Sequence, residues 1–476
     1  MTAFDSDFTL TIDGQGEAGA GRLNVINPAT EEIMAEAPAA SQAQLDKAIA
    51  AARKAFPDWR DTPLDQRRAA VLAIAEVIMG NLDGFTRLFT LEQGRPLAKA
   101  GEELMASAFW AQSISTHEIP VVINEDTDER RSETHRVPLG VVGAIVPWNF
   151  PMLLCVWKIA SALLTGNTVV IKPSPYTPLT MLKLGELLRD RLPAGVLNVV
   201  SGGDELGPLM TAHAGIDKIS FTGSSQTRRA VMASASDGLK RLTLELGGND
   251  AAIVLADADV DAIIEPLFWS AFGNSGQVCI ATKRLYIHAD IYDRVAKGLT
   301  DYAAGVTVGN GLSEGVALGP VQNQRQYERV KALIAASKAA GHSFLCGGDL
   351  PDGPGYFIPP AMVDNPPEDS AVVAEEAFGP LLPLLKFTDV EDVIARANAL
   401  PLGLAGSVWS RDLDQAQAIA QRLDTGTVWI NEALYVAPWQ PFGGHKASGI
   451  GVEGGAEGLM AYTNARTITV RKAAAT

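Results

Sequence analysis

GVVGAIV (Gly140–Val146), TVVIKPS (Thr168–Ser174), NVVSGG (Asn198–Gly203) and KISFTG (Lys218–Gly223) are four short β-branched runs, and Gly, Pro or Ser lies at or just after the end of each. Runs of this length and makeup read as strands. Apolar residues at helical spacing follow between and after them, notably from Leu179 to Leu192 and from Gln226 to Ala235. Strand alternating with helix predicts a mainly parallel sheet covered by helices. The pattern restarts at AAIVLAD (Ala251–Asp257), continues through RLYIH (Arg284–His288) and an Ala-rich helix around Val330 to Ala340, and reaches TVWINE (Thr427–Glu432). Two successive series predict two α/β domains with a cleft between them. Upstream, Ser41 heads a helical pattern to Phe56, and a second runs from Pro63 to about Met79. The polar stretch EDTDERRSETHR (Glu125–Arg136) lies between these helices and the first sheet. It is either a solvated loop or an excursion that pairs with another subunit.

The bulk properties narrow the function. A chain of 476 residues suggests about three domains and can bury a large core without staples. Its 39 Lys and Arg against 55 Asp and Glu leave a net charge of −16, which repels phosphate backbones and argues against nucleic acid as a partner. Only three cysteines occur, so a disulfide framework is excluded and a reducing, cytoplasmic setting is expected. The N-terminal MTAFDSDFTLTIDG lacks the basic segment and apolar core of a signal peptide, and no apolar run approaches a membrane span. The six histidines never reach metal-ligand spacing, so no metal site is expected.

Candidate sites are few. Two stretches satisfy G-x-G-x-x-G, at Gly14–Gly19 and Gly449–Gly454, yet neither follows a strand and opens a helix, and the first reads as a surface turn. KISFTGSSQTRRAV (Lys218–Val231) is better placed, with a strand ending in Phe221–Ser225 and a helix after it. Such a junction suits a pyrophosphate, and equally an ordinary Ser-capped turn. Cys155 and Cys346 sit in apolar settings where a thiol behaves as a small hydrophobe. Cys279, in FGNSGQVCIATKR (Phe272–Arg284), instead follows a polar, Gly-punctuated turn and reads as either a structural thiol or a nucleophile lowered by backbone dipoles. Glu245, in TLELGG (Thr243–Gly248), is a lone carboxylate in an apolar run. It is either raised and suited to general-base work or satisfied by backbone N–H groups. Asn149, between the prolines of PWNFP (Pro147–Pro151), is either an amide donor at a strand end or a residue closing its own turn.

These three contexts carry a resemblance. PWNFP (147–151), KPSPYTP (172–178), FTGS (221–224), LELGG (244–248), GQVC (276–279), EEAFGP (375–380) and PFGGHKASGIG (441–451) stand in the order and spacing of the NAD(P)-dependent aldehyde dehydrogenase superfamily, which the chain resembles over its full length. The resemblance implies an α/β fold with a Rossmann-type cofactor domain (1–117 and 139–244), an α/β catalytic domain (245–452) and a small β oligomerisation element (118–138 and 453–476), assembled as a homodimer or homotetramer. It implies that Cys279 attacks an aldehyde carbonyl, that the Asn149 amide and the Cys279 backbone N–H hold the oxyanion, and that Glu245 activates the water that releases the acid. Lys172 matches the contact to the adenosine ribose, Gly223 and Ser224 the contacts to the pyrophosphate, Glu376 the contact to the nicotinamide ribose, and Phe378 packs beside the nicotinamide. Trp148 and Ser174 complete the cofactor set, and Glu453 matches a proton-relay carboxylate.

Departures from the family pattern shape the remaining expectations. Pro175 replaces a Glu that often binds the adenosine ribose, which leaves NADP open beside the favoured NAD. Arg228 stands in place of a Gly, and Val452 in place of an Arg. The presence of Glu245 favours hydrolysis over acyl transfer to coenzyme A. The positions matching the substrate tunnel are Phe150, Leu153, Leu154, Trp157, Val278, Ile280, Leu434, Val436 and Trp439, all apolar. No Lys or Arg among them can hold a carboxylate, so a medium-chain aliphatic or aromatic aldehyde is expected rather than a semialdehyde bearing an acid. The competing readings are a semialdehyde-specific dehydrogenase, a non-catalytic protein that retains the fold, and a cofactor-free esterase-like hydrolase using Cys279.

Overall fold

The computed structural model describes residue 4 and residues 7–224, 228–236 and 238–472. Two helices open the chain where expected. Ser41 caps Gln42–Asp61 with a reciprocal capping box to Gln44, and Pro63 precedes Leu64–Gly80.

The first sheet has eight strands, in the spatial order Gln15–Glu17, Leu10–Ile12, Leu197–Val199, Thr168–Lys172, Val141–Ile145, Lys218–Thr222, Arg241–Glu245 and Gly449–Ile450. The five strands from Leu197–Val199 to Arg241–Glu245 are parallel, and antiparallel pairs flank them. Within those five, the chain starts at Val141–Ile145, steps outward through Thr168–Lys172 to Leu197–Val199, then crosses back to Lys218–Thr222 and Arg241–Glu245. That reversal leaves a crevice at the carboxyl ends of Val141–Ile145 and Lys218–Thr222, where open α/β sheets bind their ligands. Gly14–Gly19 falls in a hairpin and Gly449–Ile450 is an edge strand, so neither glycine motif forms a phosphate loop at a strand-to-helix junction. The expected helix from Gln226 is described as Arg228–Ser236, while residues 225–227 and the Arg228 side chain lie outside the described residues. The helix expected over Leu179–Leu192 stops at Leu187 in regular form.

The second sheet has seven strands, ordered Phe344–Cys346, Ala361–Asp364, Leu381–Phe387, Thr282–His288, Asp250–Val254, Ala405–Trp409 and Thr427–Ile430, all parallel but the first. Its central strands are nearly continuously buried, as expected of a parallel sheet covered on both faces. EDTDERRSETHR forms strand rather than loop: Arg130–Pro138 pairs with Val122–Asp126 on one side and Thr463–Arg471 on the other. Residues 473–476 lie outside the described residues.

One buried ion pair ties the helix layer to the first strand end. Arg95 and Glu103 are both buried and paired, and a second carboxylate oxygen of Glu103 accepts the N–H groups of Met152 and Leu153 at 3.1 Å. Those are orphan donors of the helix Pro151–Leu164, so Glu103 caps the helix that begins directly after Asn149 and Phe150. Removing Glu103 alone strands a buried guanidinium. Glu103→Leu is expected to lose about 3 kcal/mol of stability, and the double variant Arg95→Met/Glu103→Leu to recover part of it, as read from urea midpoints. A single variant as stable as the parent would refute this.

Candidate active site

Cys279 sits on the turn between a 3-10 helix, Gly273–Gly276, and the strand Thr282–His288. Asn274 and Ser275 both adopt left-handed backbone (φ 51° and 54°), and Gly276 follows at φ 71°. Such conformations cost of order 1–3 kcal/mol for non-Gly residues and persist only where contacts enforce them. Here Asn274 Nδ2 donates to the carbonyl of Asn149 at 3.1 Å, and Ser275 Oγ donates to that of Gly319 at 2.7 Å. A Cβ at Gly276 would lie 2.2 Å from the Gly379 carbonyl oxygen, so GQVC and EEAFGP meet backbone to backbone.

Asn149 does not close its own turn. Its Nδ2 donates to the Gln277 carbonyl at 3.0 Å, and its own carbonyl accepts from Arg95 at 2.7 Å. The amide nitrogen has a second N–H, so the side chain stays available as a donor beside Cys279. Glu245 ends the strand Arg241–Glu245, and both of its carboxyl oxygens are buried without a hydrogen-bond partner. The reading in which backbone N–H groups satisfy it therefore fails. Burial, reinforced by the Glu453 charge, raises the Glu245 carboxyl well above its ordinary range. Glu453 is equally buried, but Lys158 at 2.8 Å, with Lys218 and Ser220, overcomes that cost and holds it below the ordinary carboxylate range. Two buried carboxyls are thus pushed apart in acidity, the pattern of a proton donor and acceptor set.

The thiol departs from expectation. The Cys279 thiol is not lowered by backbone dipoles. Burial pushes it up to about 12, Lys283 opposes this, and Asp250, Glu245 and Glu376 add to it. The Glu245 charge is thus among those that act on the Cys279 thiol. Cys155 is fully buried, Cys346 is half-buried like Cys279 itself, and burial raises both of their thiols too.

The cofactor residues gather at the crevice. Lys172 ends its strand, and among the described residues its buried ammonium finds only the Pro173 carbonyl, at 3.4 Å. Burial lowers it to about 8, against the pull of Asp204 and Glu205. Ser174 is buried two residues on, where its hydroxyl accepts from Tyr176 N–H at 3.3 Å. Gly223 and Ser224 follow the strand Lys218–Thr222, and the hydroxyl of Thr222 is buried without a partner. A solitary buried cation and an orphaned hydroxyl at a topological switch point suit a phosphate-bearing dinucleotide. Across the cleft, Glu376 accepts from Gly248 N–H at 3.3 Å and lies 3.4 Å from Lys283 Nζ. Phe378 (φ 49°) meets Trp148 edge to face with centroids 5.3 Å apart.

Eight of the nine tunnel positions belong to, or pack against, the apolar cluster that also holds Cys279: Phe150, Leu153, Leu154, Trp157, Val278, Ile280, Leu434 and Val436. Trp157 is deep, stacked on Trp110 at 4.1 Å. Trp439 lies apart at the surface, 54% exposed, with its ring 6.2 Å from Phe109.

Comparison with known proteins agrees with this geometry. The family model described as "Aldehyde dehydrogenase family" matches residues 16–468. A probable aldehyde dehydrogenase from a Pseudomonas species is 44% identical, covering 98% of this chain and 95% of its own. A phenylacetaldehyde dehydrogenase from Pseudomonas fluorescens is 38% identical over 94% of this chain and 92% of its own. Among solved structures, the NAD+ complex of an aldehyde dehydrogenase from Bacillus cereus superposes with a TM-score of 0.96 at 33% identity, covering 98% of this chain and 97% of that one. An NADP-dependent enzyme from E. coli superposes at 0.95 with 35% identity, covering 98% of both chains. The chain belongs to the aldehyde dehydrogenase family. It is an oxidoreductase of the NAD(P)-dependent aldehyde-oxidising class, which removes the non-catalytic and cofactor-free readings.

Four residues of this aldehyde dehydrogenase site escaped the sequence reading: Arg95, Glu103, Asn274 and Lys283. Lys283 is buried, and its ammonium donates to the carbonyls of Val278 (2.9 Å) and Cys279 (2.6 Å) while facing Glu376. The available signal was a charged pair, Lys283-Arg284, at the start of an otherwise apolar strand. With the thiol near 12, iodoacetamide alkylation of Cys279 in the cofactor-free protein is expected to speed up about tenfold per pH unit between pH 7 and 10. Lys283→Met is expected to slow it further. Peptide mass spectrometry checks both, and a rate that levels off below pH 9 would contradict the burial argument.

Proposed function

We infer that this aldehyde dehydrogenase uses Cys279 as nucleophile, Asn149 as oxyanion donor and Glu245 as base for thioester hydrolysis. The observation that carries this reading is Glu245: a buried carboxyl with no partner, whose charge acts on the one cysteine held on a strained turn. The Cys279 sulfur, as thiolate, adds to the aldehyde carbon, and the carbonyl oxygen takes the negative charge. The second N–H of Asn149 and the Cys279 backbone N–H then stabilise that oxygen, each such donor contributing about 3 kcal/mol. A dinucleotide held in the crevice would supply the hydride acceptor needed to oxidise the hemithioacetal carbon to a thioester. Glu245 takes a proton from water, the hydroxide adds to the thioester carbon, and the C–S bond breaks to give the carboxylic acid and the Cys279 thiolate, with the proton left on Glu245. Glu453, with Lys158 and Ser220, offers Glu245 a charged network toward which to pass its proton.

Lys172, Ser174, Gly223, Ser224, Trp148, Glu376 and Phe378 would hold the dinucleotide. Asp204 and Glu205 act on Lys172 from close by, and their charge disfavours a 2′-phosphate there, so NAD is the favoured cofactor despite Pro175. The apolar tunnel favours aliphatic or aromatic aldehydes. Arg95 lies against Phe150 at 4.3 Å, but Glu103 neutralises it, so it offers no charge to a substrate carboxylate. Reduced-cofactor absorbance tests these assignments together. Hexanal, benzaldehyde or phenylacetaldehyde with NAD is expected to exceed succinic semialdehyde, and NADP by about tenfold, in kcat/KM. Cys279→Ala should abolish turnover. Glu245→Gln should keep a first-turnover burst while losing about 100-fold in steady state, along with the rise of kcat with pH that a raised carboxyl imposes. Succinic semialdehyde as the best substrate, or a Glu245→Gln enzyme at full speed, would refute the reading.

The three-stranded sheet is assigned to subunit assembly. Val121, Val122, Ile123, Ile468 and Val470 lie on or beside its strands and are exposed, a pattern that a partner subunit would cover. The chain is expected to run as a dimer or tetramer by light scattering, and Ile123→Asp to shift it toward monomer. A monomeric parent would exclude this.

A further inference from the structure

A chain of buried amides joins the loop assigned to the cofactor with the turn that carries Cys279. Residues 173–178 follow the strand Thr168–Lys172 of the first sheet, whereas the Cys279 turn precedes Thr282–His288 of the second. Gln322 is buried between them, just ahead of the helix Gln324–Ala339. Its Nε2 donates to the carbonyl of Tyr176 at 3.1 Å and to that of Glu92 at 3.0 Å. Its backbone N–H donates to Gln277 Oε1 at 2.8 Å. Gln277 is buried as well. Its Nε2 donates to the Asn274 carbonyl at 2.8 Å, and its own carbonyl accepts from Asn149 Nδ2 at 3.0 Å.

Each amide has one orientation open to it. Carbonyl oxygens only accept, so the Gln322 nitrogen must face Tyr176 and Glu92, and its Oε1 takes the Asn323 amide at 3.2 Å. A backbone N–H only donates, so Gln277 presents oxygen to Gln322 and nitrogen to Asn274. The loop is pinned at its far end too. There the Glu92 carboxylate accepts from the N–H groups of Leu179 and Thr180, each at 2.8 Å, where the helix Leu179–Leu187 begins. Just along the chain from Glu92, Gln93 Nε2 and Arg95 Nε both reach Asn274 Oδ1 at 3.2 Å. The loop beyond Lys172 and Ser174 therefore cannot shift against the turn before Cys279 without breaking hydrogen bonds inside the protein. Water could also satisfy a buried carbonyl. It would set no distance between residues 146 positions apart in the chain, as Gln322 and Tyr176 are.

We propose that Gln322 is a positioning residue for hydride transfer, fixing the separation between the loop that would hold the dinucleotide and the turn that holds Cys279. The inference rests on the reading of Cys279 as the nucleophile. The bonds of Gln322 run to Tyr176, Glu92, Gln277 and Asn323 rather than to a residue assigned to cofactor or substrate, so its loss should leave binding nearly intact. Misplacing the reacting atoms by about 1 Å can cost on the order of 100-fold in rate, so the loss should appear in the chemical step.

Gln322→Met keeps the length of the side chain and removes its donors. In the cofactor-free protein, iodoacetamide alkylation of Cys279 is expected to run about fivefold faster in this variant, because the turn opens more readily, while the fully buried Cys155 keeps its parent rate. With NAD and hexanal, the first-turnover burst of reduced cofactor should slow about tenfold, and the dissociation constant for NAD from calorimetry should stay within about threefold of the parent. Gln277→Met breaks the same bridge from the other side and should reproduce both effects, and the double variant should add little to the larger single effect. Either variant suffices if the other does not fold. Parent-like alkylation of Cys279 or a parent-like burst in both variants overturns the proposal. Faster labelling of Cys155 would overturn it too, by showing general loosening, and so would effects that add in the double variant. A parent enzyme with no burst would refute the Cys279 assignment instead, and the cofactor-free alkylation would still decide on the bridge.

Discussion

A guanidinium buried in the helix layer holds the candidate site in register. Arg95 pairs with Glu103, donates to the carbonyl of Asn149 and reaches Asn274 Oδ1 at 3.2 Å. Its partner Glu103 caps the helix that carries Leu153, Leu154 and Trp157. One ion pair thus fixes the strand end bearing Asn149, the start of the tunnel helix and the strained turn before Cys279. Taking two charges out of water is costly, and here the three guanidinium nitrogens of Arg95 and both carboxylate oxygens of Glu103 find partners. Such a hub explains how Asn274 and Ser275 can stay in left-handed conformations.

Burial also sets the chemistry. The same exclusion of water raises Glu245, Glu376 and the thiol of Cys279 together, and Lys283 is the cation that opposes the rise at both Glu376 and Cys279. Glu453 escapes because Lys158 lies beside it, and Lys218 contributes as well. A raised thiol is protected from unwanted reaction, and a raised carboxyl is a stronger base once it is ionised. Lys283 links the two sides of the cleft, since it holds the carbonyl of Cys279 and faces the carboxylate assigned to the cofactor ribose.

Much of this was legible in the linear chain. Short β-branched runs closed by Gly, Pro or Ser gave nearly every central strand, because a strand buried on both faces must be continuously apolar and must end in turn residues. Ser41 marked its helix for the same local reason. EDTDERRSETHR was harder, since a strand exposed on both faces carries no alternation, and only resemblance separated it from a loop. The helix after Leu179 closed at Leu187 with Leu188 as its C-cap, an end that periodicity does not register.

The amino-acid sequence by itself determined the α/β class, the two sheets and the family, and singled out Cys279, Glu245 and Asn149 as candidates, because those depend on local pattern and on short motifs. Only the tertiary structure decided that Glu245 has no partner, that Cys279 is raised rather than lowered, and that Arg95, Glu103 and Lys283 bind the site together. Desolvation and Coulomb attraction depend on distances through space, and residues 54 positions apart in the chain, such as Arg95 and Asn149, carry no sign of their meeting until the chain is folded.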